Sequence, residues 1–164
     1  MSLAVHMLLH CLLVAVLAPA AVLASPLHID IRSRVARLLT APLTAWLLFV
    51  GTQVAFHLAA LYESSGWVDG VSHFVYLGTS LLFWEVAIGS TLQPRRLTGL
   101  GPAIYLIVAM PAVDLSAAWL MTNGEPGAGV AMVAGMMPIG LAAAISAWSF
   151  ARREEASTGL EGTA

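Results

Sequence analysis

Residues 128–150 read AGVAMVAGMMPIGLAAAISAWSF, a run without a charged side chain that is closed by Arg152-Arg153. About 20 apolar residues span the roughly 30 Å of bilayer hydrocarbon as a helix. This stretch is long enough, and the arginines behind it are the kind of end that stays in water. Working back along the chain, four further apolar runs appear at about 4–24, 42–61, 70–90 and 102–121. Short segments rich in Pro, Gly, Ser or charge separate them. The expected fold is an all-α integral membrane protein, a bundle of about five transmembrane helices. Residues 1–151 form one polytopic membrane domain and 152–164 a polar cytoplasmic tail.

Composition agrees. Hydrophobic residues make up 59% of the 164 positions, charged residues only 10%, and the mean hydropathy is +0.86. Soluble domains carry about 25% charged residues, so lipid is the expected surrounding. A net charge of −2 gives no sign of nucleic-acid binding, and one cysteine excludes an internal disulfide framework. No phosphate loop, nucleophile elbow or zinc-protease HExxH is present, so the chain is not expected to be an enzyme.

The arginines orient the spans. Arg32, Arg34 and Arg37 follow the first run, Arg95 and Arg96 the third, and Arg152 and Arg153 the fifth. The other two loops carry only Glu63, Asp69 and Glu125. By the positive-inside rule the arginine loops are cytoplasmic, with the N-terminus outside and the C-terminus inside. The expected location is the cell inner (plasma) membrane, multi-pass. Tyr62, Trp67 and Trp119 near one boundary and Trp46, Tyr105 and Trp148 near the other fit aromatic belts. Leu27 to Leu39 reads either as an amphipathic surface helix or as a basic loop. Residues 1–25 end in a cleavage-like Val22-Leu23-Ala24-Ser25. A signal peptide, however, carries its positive charge before the apolar region and not after it, so this run reads as a retained span.

Depth along each span, at about 1.5 Å per residue, collects four of the five histidines at the outer face. His6 and His10 lie one turn apart in Val5-His6-Met7-Leu8-Leu9-His10; His57 is near the outer end of the second run and His73 near the start of the third. Met7, Cys11, Met121, Met132 and Met136 fall at similar depths. Imidazole with thioether suits a soft ion such as Cu(I) better than calcium or magnesium. Taken singly, such histidines only hydrogen-bond water, and methionines in apolar helices are packing residues, as Met137 is read here. The clustering makes a metal site the expectation, because ionisable groups within spans are costly. Asp114, in the outer half of the fourth run, is the expected hydrogen-bond support for a ligand histidine. Glu85 lies deeper, and His28, near the inner surface, has no assigned role.

The same residues resemble a known family. Val5 to His10, followed by an apolar helix ending near Ala24-Ser25-Pro26, is similar to the His-Met-x-x-His helix of the CtaG family, membrane proteins that assemble caa-type cytochrome c oxidases. Phe56-His57-Leu58-Ala59-Ala60-Leu61-Tyr62 resembles that family's His-x-Pro-x-x-Tyr segment. Ser72-His73-Phe74 through Leu81-Leu82-Phe83-Trp84 resembles its Glu-His…Leu-Phe-Trp helix, and Ala128-Gly129-Val130-Ala131-Met132 its Ala-Gly-x-x-Met segment. The chain departs from the pattern at Ser72 and at Asn123-Gly124-Glu125-Pro126-Gly127, and reads as a short, N-terminally reduced relative.

What the resemblance implies is a copper-handling assembly factor, with His6, His10, His57, His73 and Met132 carried over; the reading of the residues themselves offers Met7 as an alternative soft ligand. Its expected partners are cytochrome c oxidase subunits, membrane lipid and an extracytoplasmic copper donor; a homo-oligomer is compatible with it. Two alternatives stand beside it. One is a structural or interaction subunit without metal. The other is a b-type haem protein, since histidines on different helices can ligate haem axially.

Overall fold

Lipid offers no hydrogen-bond partner to a backbone amide, so a chain this apolar must satisfy its main chain internally, and helices do so. A computed structural model describes residues 2–24, 34–59, 66–89 and 97–161, with side chains at all of these except 57–59, 66–69 and 159–161. No strand occurs among the described residues. Helix α1 (Leu3–Leu12), a π turn (Leu13–Leu17) and α2 (Ala18–Ala24) run on as one long first helix, followed by short α3 (Arg34–Leu39). Then come α4 (Pro42–Ala59), α5 (Gly66–Ile88), α6 (Gly101–Thr122) and α7 (Pro126–Glu161). The stretches Leu3–Ala24, Gly70–Ile88, Gly101–Thr122 and Pro126–Thr158 are long and apolar enough to cross a membrane; Pro42–Phe56 in α4 is apolar but shorter. The last helix does not stop near residue 150. It continues through Arg152, Arg153 and the acidic pair behind them to Glu161, so the segment expected as a polar tail is largely helical.

Local chemistry sets the ends. Ser2 caps α1 by accepting from the Val5 amide at 3.4 Å. Pro102 sits in the first turn of α6, where its missing N–H costs nothing. Gly124, at φ +93°, makes the tight reversal from α6 into α7. Within the spans, hydroxyls return to their own helix: Thr52 to Leu48, Ser80 to Tyr76, Ser116 to Ala112 and Ser146 to Ala142. Such back-bonding keeps a polar side chain satisfied where no water reaches.

Contacts give the helix directions. A Cβ on Gly127 would lie 3.8 Å from Ala4, and one on Gly135 would lie 2.4 Å from the Cys11 Cβ, so α1 and α7 run parallel with their starts side by side. Thr52 and Thr79 hydroxyls meet at 3.0 Å, and the rings of Phe49 and Phe83 stack at 4.3 Å, which makes α4 and α5 antiparallel. Tyr105 stacks on Phe83 at 4.8 Å and ties α6 to the same aromatic group. The N-terminal end of the bundle therefore gathers the starts of α1, α5 and α7. The starts of α4 and α6 lie at the opposite end, as does Phe150, which is next to Gly99.

The first helix changes neighbour part-way down: α1 packs on α7, whereas α2 packs on α5. The change falls at the π turn. There the Ala18 amide bonds the Leu13 carbonyl, five residues back. Continuing that pattern, residue 19 would donate to Val14, but Pro19 has no N–H. The Val14 carbonyl takes its hydrogen bond from outside the helix, from the Trp84 indole Nε1 on α5 at 2.7 Å. Both groups are buried.

The close approach at Gly135 generates a test. Gly135→Val adds two methyl groups where one carbon already lacks room, and overpacking of this kind costs about 1–3 kcal/mol. Thermal or SDS titration of the purified protein is expected to show a lowered midpoint, with Gly70→Ala, which meets nothing within 4 Å, as the neutral control.

Candidate metal centre

Residues four apart on a helix lie on one face, and α1 uses this to pair His6 with His10, their ring centroids 4.3 Å apart. From α5, His73 meets both: its ring lies 4.1 Å from that of His10 and 5.4 Å from that of His6, close to perpendicular in each case. One ring nitrogen from each of the three falls within 4.8 Å of the others. His10 Nε2 and His73 Nε2 face each other directly as a hydrogen-bonded pair. Two neutral imidazoles joined in this way share one N–H. If a cation replaces that proton, both nitrogens turn their lone pairs to it, and His6 supplies a third. All three rings are half-buried, enclosed enough to hold an ion and open enough to exchange it. The Tyr76 ring closes the floor, 5.9 Å from His10.

On α1 the residues after the histidines, Met7 and Cys11, point about 100° further round and are buried in the seam with α7. Met132 and Met136, on either side of Gly135, are buried from the α7 side. Between these methionines in sequence, Gly135 lies against Cys11, the residue after His10. Met121 lies over Gly129, whose Cβ would come within 2.5 Å of the Met121 Cγ.

Of the residues expected at the site, His6, His10 and His73 converge. His57 belongs to α4, but its side chain is outside the described residues. His28 is outside them altogether. Asp114 does not support a ligand histidine: it is exposed on α6 and stands outside the histidine group. Glu85 is buried twelve residues beyond His73, about 18 Å along α5, with its carboxylate folded over Gly89. Sequence reasoning missed the π turn and the Trp84 bond to Val14. The available signal was Pro19 inside an otherwise continuous apolar run, which must deprive a carbonyl of its donor.

Residues 1–130 match the family model described as cytochrome c oxidase caa3 assembly factor (Caa3_CtaG). No curated protein and no solved structure matches the chain.

Burial of the single thiol is directly measurable. Cys11 is fully enclosed, so maleimide labelling in mild detergent is expected to run at least about tenfold slower than after SDS unfolding, since thiol reactivity follows exposure.

Proposed function

The chain belongs to the cytochrome c oxidase caa3 assembly factor family, and on that footing we propose that it is a non-enzymatic membrane chaperone that carries copper to the oxidase. The observation behind this reading is the convergence of His6, His10 and His73 from two helices. Copper is the cargo rather than a resident cofactor. Three imidazole nitrogens suit zinc or copper, and neighbouring thioethers favour Cu(I). Met7 or Met132 supplies the soft ligand, and His57, on the helix antiparallel to α5, joins from α4. A half-open site of this sort releases its ion by ligand exchange to an oxidase subunit, having received it from an extracytoplasmic donor.

The same reading sets the orientation. Arg34 and Arg37 precede the start of α4, and Arg152 and Arg153 follow Phe150, all at the end of the bundle away from the histidines. Positive-inside logic makes that end cytoplasmic. The histidines then open to the outer face of the plasma membrane. Residues 1–151 act as the membrane domain and 152–164 as its cytoplasmic extension.

The test is anaerobic Cu(I) competition against a chromophoric chelator with the purified protein. Perturbing groups that merely orient metal ligands costs 10- to 100-fold in affinity, so His10→Ala or His73→Ala should weaken binding by about 100-fold or more. Asp114→Asn should leave it unchanged. Full copper affinity in both histidine variants would overturn the site.

A further inference from the structure

His6 and His10 arrive on one helix and His73 on another, so the trio exists only while the first helix and α5 keep one mutual register. The upper half of the first helix does not set that register by close packing on α5, because α1 leans on α7 at Gly127 and Gly135. The lower half leans on α5 instead. In an uninterrupted α-helix, Met7, Cys11, Ala18 and Val22 would share one stripe, at about 100° per residue. Here all four are buried, yet the first two lie on the helix half that packs against α7 and the last two on the half that packs against α5. The π turn accounts for the rotation, since it holds an extra residue in one turn. The same rotation turns His6 and His10, which precede Met7 and Cys11 by one position, towards α5.

At the crossing, Trp84 Nε1 on α5 donates to the Val14 carbonyl of the first helix, for which Pro19 offers no N–H. We infer that Trp84 is a positioning residue for the histidine site, locking the π turn of the first helix against α5 so that His10 meets His73. Trp84 itself touches none of the histidine rings among the ring contacts described; Phe83 is the aromatic neighbour of its indole, at 5.7 Å. Its effect on the site is exerted through helix register. The inference rests on the copper reading for its consequence, but its geometry can be tested without metal.

Two readouts separate positioning from simple stabilisation. The first is anaerobic Cu(I) affinity. The second is crosslinking of a His10→Cys/His73→Cys pair by a short bis-methanethiosulfonate, in a Cys11→Ala background. Trp84→Phe keeps an aromatic ring but loses the pyrrole half of the indole and, with it, the N–H. It is expected to lower Cu(I) affinity about tenfold or more, the scale at which orienting groups act, and to reduce crosslinking. Pro19→Ala restores an amide that can serve the Val14 carbonyl. The double variant Trp84→Phe/Pro19→Ala should therefore regain the part of the thermal midpoint lost with the hydrogen bond, the volume lost from the indole remaining unfilled, while copper affinity and crosslinking stay low. Wild-type affinity and crosslinking in Trp84→Phe, or their full recovery in the double variant, would overturn the inference. A wild-type chain that binds no Cu(I), yet loses crosslinking on Trp84→Phe, would sustain the positioning role and defeat the copper reading instead.

Discussion

One carbonyl oxygen within the membrane, that of Val14, organises much of this bundle. An unsatisfied backbone group in hydrocarbon costs several kcal/mol; with the Ala18 amide taken by Leu13 and no N–H on Pro19, the first helix does not satisfy this one itself. The indole of Trp84 does so from α5. Because tryptophan has a single donor at the edge of a large rigid ring, the bond fixes both the distance and the facing of the two helices. The aromatic group of Phe83, Phe49 and Tyr105 then extends from the same point into α4 and α6.

Above that point, the first helix serves two neighbours at once. One face sends Met7 and Cys11 into the seam with α7, where glycine at 135 lets the backbones approach closely. The adjacent face sends His6 and His10 towards His73. Nitrogen and sulfur donors are thereby sorted onto neighbouring faces of two successive helical turns. The hard constraint on α7 comes from side-chain size, and that on α5 from hydrogen bonding.

Four of the five expected apolar runs were legible as helices long enough to cross a membrane, because apolar length alone marks them, as the run 128–150 within α7 illustrates; the second, in α4, is shorter among the described residues. Buried faces were not. In lipid both the buried and the exposed sides of a helix are apolar, so periodicity loses the contrast that marks a core face in water. Val5, Leu9 and Val16 are exposed while Val14 and Val22 are buried, with nothing in residue type to tell them apart. Histidines escape this ambiguity, since an imidazole in a span needs a partner, and His6, His10 and His73 found one another. Asp114 followed the same logic and did not, because depth alone cannot say which way round a helix a carboxylate points. The π turn was hidden for a related reason: its extra residue changes direction without changing hydropathy.

The length of α7 has a mechanical side. Its 36 residues make a rod of about 54 Å at 1.5 Å per residue, against roughly 30 Å of hydrocarbon. The rod is longer than the hydrocarbon is thick, and its last turns carry Arg152, Arg153, Glu154 and Glu155 on exposed positions. Its other end is wedged against the histidine-bearing helix at Gly127 and Gly135. The two ends of the bundle are thus joined by one long helix, whose hydrogen-bond ladder lacks a donor at Pro138. A small tilt at the glycine contacts becomes a larger sweep of the charged tip.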